Sequence, residues 1–313
     1  MTGRACVVVP TRGTSAAIDR IATNIAGHVG EHDLLVVLNG TDEAELTRSQ
    51  TQASAHGLRT VRCPGGGVAR ARNHALTDCE ADIVIYVDDD VIMTTAAVEH
   101  LISIIAGGAA DVATARVLPA QLDREDFNAI YGAFLGFDRG TQQRSWRHPN
   151  RLSPFSVWDV GVGALFAINR PSVVDCASVR FDERLSNGRW CGGTEDVDFF
   201  LRAFHAGLGL AYEPEAVAFH LFPDDGTGMR RKCRQYALTD GAFYAKWCRQ
   251  AAPADLLSEV SGWVRRLGTH TVRAVDGRPG VPLASVAAEP FYKLTGAAAW
   301  WLVLAHRSPV RLP

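Results

Sequence analysis

The stretch Ile83–Asp90, IVIYVDDD, runs five apolar or β-prone residues straight into three adjacent aspartates. A short, continuous apolar run of this kind reads as a strand covered on both faces, the signature of a parallel sheet between helices. The upstream sequence repeats the theme. Ala5–Pro10 (ACVVVP), Asp33–Leu38 (DLLVVL, closed by Asn39-Gly40) and Thr60–Arg62 read as further strands. Between them lie segments with helical character. Ser15–Val29 spaces Ile18, Ile21, Ile25 and Val29 on one face, and Thr41 with Asp42 and Glu43 opens a polar helix as an N-cap. Ala69–Leu76 follows the loop Pro64-Gly65-Gly66-Gly67. Alternating strands and helices imply right-handed βαβ crossovers and a mainly parallel, Rossmann-like α/β sheet flanked by helices. Ligands bind such sheets beyond the carboxyl ends of the strands, where the three aspartates stand.

Downstream the pattern loosens. Arg116–Trp158 is polar and carries Tyr131, Trp146, His148 and Pro149. Val160–Ile168 (VGVGALFAI) reads as a strand with two glycines, Glu195–His205 as a helix, and Ala216–His220 as a last short strand. After Pro223 the strand signals stop. The expected organisation is an α/β domain over residues 1–222, with a nucleotide-binding half to about 115 and an acceptor half from about 116. A helical C-terminal extension over 223–313 completes it.

Composition narrows the function. Of 313 residues, 47% are hydrophobic and 21% charged, which excludes a disordered chain, a collagenous repeat and a coiled coil. A formal charge of −2 supplies no bulk field for nucleic acid, so no nucleic-acid partner is expected. The seven cysteines show no CxxC pair and no regular spacing, which suits reduced thiols and a cytoplasmic protein. Ala5–Pro10 is shorter than the about 7–15 apolar residues of a secretion signal. Leu294–Ala305 is the longest apolar stretch, and its 12 residues fall short of the roughly 20 that span a bilayer. It suits a buried helix, a homodimer contact or a peripheral anchor on the inner face of a membrane.

Three constellations carry chemical potential. Asp88-Asp89-Asp90 is either a solvated acidic turn or a set of hard oxygen ligands for Mg²⁺ or Mn²⁺ beside a diphosphate. Gly192-Gly193-Thr194-Glu195-Asp196, with Asp198 two residues on, is either a capped and charge-complemented helix start or the seat of a general base. An acid among apolar residues has its pKa raised into a useful range. His220, at the end of the apolar strand AVAFH, reads first as a satisfied core histidine. Gly65–Gly67 with Arg70, Arg72 and Asn73 could meet a phosphate, although the spacing fits neither GxGxxG nor a P-loop. Trp146, Trp158 and Trp190 could stack on a sugar or close a core. The cation-rich, aromatic segment Met229–Cys248 fits a lid over the acceptor, an anionic membrane contact, or simple packing.

Taken in order, these pieces resemble the family-2 glycosyltransferases of the GT-A fold over about residues 5–222. VVVPTRG at Val7–Gly13, VARARN at Val68–Asn73, VDDDV at Val87–Val91, GGTEDVDFFLRAFHAG at Gly192–Gly207 and EPEAVAFH at Glu213–His220 match that family's motifs in its order. The resemblance implies an inverting transfer of a single sugar from a nucleotide-diphosphate sugar to an acceptor hydroxyl, small-molecule, glycan or lipid-linked. It implies a donor site at Pro10, Thr11, Arg12, Arg72, Asn73 and Asp88 or Asp89, and a Mg²⁺ or Mn²⁺ ion held by Asp90 with His220 nearby. Asp196 would be the general base with Glu195 beside it. Trp158, Trp190, Gly192 and Gly193 would border the acceptor. Where the family commonly has a base-reading aspartate, this chain has Val37-Leu38-Asn39-Gly40. Asn39, both donor and acceptor, is the substitute, and uridine, thymidine and guanosine donors all stay open. The chain lacks the QxxRW motif and long apolar helices of processive synthases. The competing readings are a nucleotide-sugar-binding protein without turnover and, behind it, a sugar nucleotidyltransferase.

Overall fold

The computed structural model describes residues 5–120, 137–186, 193–223, 226–277, 281–304 and 306. Trp190, Gly192 and Tyr131 lie outside them. The first half alternates as the sequence predicts: β1 (Ala5–Thr11), α1 (Ser15–Asn24), β2 (Asp33–Leu38), α2 (Glu43–Ala55), β3 (Arg59–Arg62), α3 (Val68–Asp78) and β4 (Ile83–Val87). A two-residue strand β5 (Val91–Ile92), helix α4 (Thr95–Ala106) and strands β6 (Val112–Pro119), β7 (Arg144–Trp146) and β8 (Leu165–Asn169) follow. The chain then forms α5 (Glu195–His205), β9 (Leu210–His220) and three helices, α6 (Gly226–Trp247), α7 (Pro253–Val275) and α8 (Leu283–Ala299).

The strands make one sheet in the order β3-β2-β1-β4-β8-β6-β9-β5, with β7 also pairing β9. β3, β2, β1 and β4 are mutually parallel, β8 runs against β4 and β6, and β9 runs parallel to β6. The carboxyl ends of β1, β2, β4, β6 and β9 therefore share one edge, where β8 begins. Side chains alternate between two apolar layers. Cys6 and Val8 of β1 face the cluster built with α3, α5 and α6, whereas Ala5, Val7 and Val9 face the cluster under α1, α2 and α4. Coverage on both faces is why the central strands β1 and β4 are apolar almost throughout, whereas the edge strand β3, Arg59–Arg62, is not.

Local boundaries follow local chemistry. Asp42, not Thr41, caps α2, accepting the Glu45 N–H at 3.0 Å. β8 begins at Leu165 rather than Val160 because the preceding chain turns: Val157–Val160 is a short 3₁₀ turn, and Gly161 has φ +127°. A Cβ at Gly161 would lie 2.7 Å from Thr114 Oγ1, so only glycine lets the turn close. β9 is longer than the predicted Ala216–His220, and its free edge is shared by β7 at its start and β5 at its end. At the C-terminus, α6 gives Leu238, Ala242, Phe243 and Ala245 to the cluster holding β1 and β4. Packing is thus one role of Met229–Cys248. α8 crosses α6 at two glycines: a Cβ at Gly241 would meet the Lys293 carbonyl at 1.8 Å, and one at Gly296 the Leu238 carbonyl at 1.7 Å. No described helix is long and apolar enough to cross a membrane.

Candidate active site

The acidic turn links β4 to β5, and β5 pairs antiparallel with the end of β9, Val91 opposite His220. The Leu221 N–H donates to the Asp90 carbonyl at 2.8 Å. This backbone pairing brings a histidine 130 residues away to the aspartates. One ligand atom each of Asp88, Asp90 and His220 lie within 4.8 Å of one another, and His220 Nε2 is 3.3 Å from Asp90 Oδ1. The imidazole lies against Phe222 and Phe137, with ring centroids 4.4 and 5.9 Å away, and those two rings also stack on each other. Burial pushes its pKa down to about 4, with Asp90 opposing, so it is neutral at physiological pH with a lone pair to offer. Among the described residues its buried Nδ1 has no hydrogen-bond partner. Asp89 is turned away: its carboxylate takes the Thr11 hydroxyl, and Arg20 Nε donates to its carbonyl at 3.1 Å.

Arg72 is the hub of the site. It is 1% exposed, and its guanidinium donates to Asp88 Oδ1 at 2.8 Å, the Gly163 carbonyl at 2.9 Å and Glu195 Oε1 at 3.1 Å. Phe166 and Phe181 lie against the same group, each 5.5 Å from its central carbon. The Tyr86 hydroxyl anchors the Arg72 carbonyl at 2.9 Å. A planar, permanently charged fork is the only side chain that can bridge two carboxylates and a carbonyl in this way. Burial alone would lower its pKa, but Asp88 and Glu195 raise it.

Glu195 and Asp196 open α5. Thr194 stands at the cap position, yet its hydroxyl makes no capping bond. The acids themselves satisfy the helix start: Asp196 Oδ1 accepts the Val197 N–H at 2.8 Å. Asp196 Oδ2 accepts the Gly163 N–H at 2.5 Å, tying α5 to the glycine turn before β8. Burial raises the Asp196 and Glu195 carboxyls above the ordinary range, with Arg72 opposing in both. Asp198 is a different kind of residue. It is wholly buried and paired with Lys246 Nζ at 2.6 Å and the Trp247 indole N–H at 2.8 Å. Lys246 also meets Asp182 at 2.7 Å, so Asp198 fastens α6 to α5.

A cavity of about 330 Å³ opens on these groups. Asp88, His220, Arg72, Gly163, Glu195 and Asp196 line one end. Its wall continues along α6 and α8 through Tyr236, Asp240, Tyr244 and Lys293. Lys293 is held by Glu259, by Glu289 at 2.9 Å and by Asp240 at 3.7 Å, while Arg266 meets Glu289 at 2.7 Å. Burial pushes the Asp240 carboxyl up to about 7, with Lys293 opposing.

The sequence profile described as Glycosyl transferase family 2 matches residues 6–174, more than half of the chain. The chain belongs to this family. A pre-mycofactocin glycosyltransferase of Mycobacterium tuberculosis is 27% identical over 220 residues, covering 68% of this chain and 42% of its own. The chain thus spans less than half the length of that relative. Among solved structures, glucosyl-3-phosphoglycerate synthase from Mycobacterium tuberculosis, in complex with phosphoglyceric acid, superposes with a TM-score of 0.50 at 16% identity. The match covers 80% of this chain and 82% of that one. A mycobacterial protein gives 0.51 at 17% identity, over 80% and 77% of the two chains. At such identities the likeness establishes the GT-A fold.

Within this family member the expected site residues fall into groups. Pro10, Thr11 and Asn39 end β1 and β2 at the ligand edge; Pro10 and Thr11 are buried and Arg12 is exposed. Asn39 is buried, and its side-chain oxygen has no hydrogen-bond partner among the described residues. Asp88 groups with Asp90 and His220 rather than with Asp89. Asp90 does not reach the cavity wall; Asp88 and His220 do. Asn73 is buried, and its amide donates to the Phe181 carbonyl at 2.9 Å and accepts the Phe181 N–H at 2.8 Å, so both polar atoms clip one loop to α3. Trp158 and Gly193 line the cavity. Trp146 packs on the core instead. Gly163 escaped sequence reasoning and was legible only as a glycine in an apolar run; Tyr236 and Asp240 belong to Met229–Cys248, for which a lid over the acceptor was one of three expectations, and both line the cavity.

Proposed function

We propose that this chain transfers a single sugar, with inversion, from a nucleotide-diphosphate sugar to an acceptor hydroxyl, with Asp196 as general base. The observation that carries the reading is one cavity flanked by Asp196 on α5 and by the Asp88–His220 pair at the strand ends. An inverting displacement needs a base on one side of the sugar and a leaving group on the other.

Two carboxylates and a neutral imidazole whose second nitrogen is unpartnered form a donor set suited to Mn²⁺ or Mg²⁺. Asp88, Asp90 and His220 would hold the ion, which when bound neutralises charge gathering on the diphosphate. The solved glucosyl-3-phosphoglycerate synthase complex with Mn²⁺ and uridine-diphosphate-glucose is consistent with such a pairing. Asp196, fixed by Gly163, takes the acceptor proton on Oδ1 or Oδ2, and its burial-raised pKa suits that task. Arg72 keeps Asp88 and Glu195 in place and compensates their charge as they are drawn out of water. Thr11, Asn39 and the strand ends would receive the nucleotide; the unpartnered Asn39 oxygen is free to read a base N–H. The acceptor enters along α6 and α8. Among the described residues of that arm, Asp240, Glu259 and Glu289 stand against Lys293 and Arg266, three acids to two cations, which favours a neutral or cationic acceptor over an anionic one.

Calorimetry with UDP, GDP and dTDP, each with and without Mn²⁺, tests the reading. Tight, Mn²⁺-dependent binding of one diphosphate, followed by slow hydrolysis of its sugar conjugate, is the expected result. No binding by the folded protein overturns it.

A further inference from the structure

We propose that the outer face of the C-terminal helices is a docking surface for an anionic lipid bilayer. Among the described residues, all twelve exposed large apolar side chains lie between Leu256 and Val303. Elsewhere the described chain buries or half-buries its large apolar residues. The exposure is also on the wrong side for a soluble helix. α7 turns Trp263, Arg266 and His270 inward: the Trp263 indole donates to the Val286 carbonyl at 2.9 Å, Arg266 pairs with Glu289, and His270 is buried. Leu257, Val260, Val264 and Val275, spaced as one helical stripe, face out, Leu257 at 71% and Val275 at 81% exposed. A surface helix normally shows its polar face to water and its apolar stripe to the core; here, among the described residues, the apolar stripe is left exposed. On α8 and the turn after it, Phe291, Leu294, Trp301 and Leu302 add to this surface.

Charge identifies the occupant. Residues 226–313 carry 13 Lys and Arg against 5 Asp and Glu, whereas residues 1–225 carry 19 against 29. The near-neutral total thus hides a basic extension on an acidic body. Arg230, Arg231, Arg234, Arg249 and Arg265 are exposed. Exposed arginines on the same helical extension as an exposed apolar stripe, Arg265 on α7 itself, together with exposed Trp301 after α8, make the composition that settles into the interface of an anionic membrane. No described helix can span a bilayer, so the surface would lie on the membrane and not cross it. The proposal stands apart from the catalytic reading, since none of the exposed apolar residues or exposed arginines named here lines the candidate active site.

Vesicle flotation with the full chain tests it, using phosphatidylcholine alone and phosphatidylcholine mixed with phosphatidylglycerol. The expected result is co-flotation with the anionic vesicles only, weakened by high salt. Leu257→Gln combined with Val264→Gln should lower the bound fraction about tenfold or more, following the scaling of interfacial binding with apolar area. Arg230→Gln with Arg231→Gln should lower it specifically at low salt. Unchanged circular dichroism and donor hydrolysis in both variants would show that the fold and the catalytic cavity are untouched. Equal flotation with neutral and anionic vesicles would overturn the charge argument. Absence of flotation, with or without a concentration-dependent dimer in light scattering, would overturn the proposal, the dimer assigning the face to a second copy of this chain.

Discussion

Asp196 and Gly163 approach so closely that no side chain fits between them. The Gly163 N–H reaches Asp196 Oδ2 at 2.5 Å, and a Cβ at position 163 would lie 2.4 Å from the Asp196 Cβ. The turn before β8 thereby fixes the carboxylate that α5 presents. Gly163→Ala should displace Asp196 and lower kcat about 10²-fold, the cost of misplacing a catalytic group by about 1 Å. Diphosphate binding should survive, which calorimetry beside steady-state kinetics would check.

Removing the base itself should cost more. Asp196→Asn keeps the shape of the side chain and should lower kcat by about 10²–10⁴. A base acts deprotonated, so kcat/KM should rise with pH through the Asp196 pKa. Burial holds that pKa above the ordinary aspartate value, with Arg72 opposing. The acidic limb of the wild-type profile should therefore lie above about pH 4 and disappear from the residual rate of the variant.

Arg72 is expected to matter to stability as much as to activity. Arg72→Met leaves Glu195 buried and unpaired and should cost about 3–5 kcal/mol in denaturant unfolding, the usual cost of breaking a buried ion pair from one side. Arg72→Lys should recover only part of this, because an ammonium cannot span Asp88, Gly163 and Glu195 together.

Asp90→Ala and His220→Ala should each weaken Mn²⁺-dependent diphosphate binding by about 10-fold or more while leaving metal-free binding unchanged. Chelation should abolish wild-type turnover and added Mn²⁺ restore it. Unaltered metal dependence in either variant would remove that residue from the ligand set.

The Asp182–Lys246–Asp198 bridge should make the fold acid-sensitive. Burial pushes the Asp182 carboxyl up, but its bonds to Arg184 and Lys246 override this and hold the pKa well below the ordinary value. A depressed carboxyl adds stability that is complete above the unfolded-state pKa, about 3.9, and is lost as pH falls through the folded value. Asp182→Asn should flatten the loss of stability below about pH 4. An unchanged acid-unfolding curve would assign the sensitivity to other groups.

Much of the first half was legible in one dimension. Apolar runs with helices between them fix β1, β2 and β4 to within a residue or so, since a strand buried on both faces has no polar position to confuse the pattern. The pieces with weak local signals went unseen. β5 is two residues long and exists because β9 pairs with it; β7 is three residues on a free edge. Val160–Ile168 misleads because two glycines among apolar residues mimic a strand, whereas Gly161 bends under Thr114. The structural task of Asn73 was equally invisible: its amide matches a backbone N–H and carbonyl of Phe181, 108 residues away.

The sequence by itself determined the alternation of strands and helices, the three aspartates at a strand end, and the two acids at the start of α5. All of these are local, carried by periodicity and residue type within a few turns of chain. The tertiary structure alone decided that Asp88, and not Asp89, joins Asp90 and His220, because a side chain's direction after a strand is set by what its neighbours pair with. It alone decided that Arg72 holds Glu195 and Asp88 together across the sheet, and that the apolar stripe of α7 faces outward. Each depends on contacts between residues far apart in the chain, and periodicity records that a stripe exists without recording which side of the fold it meets.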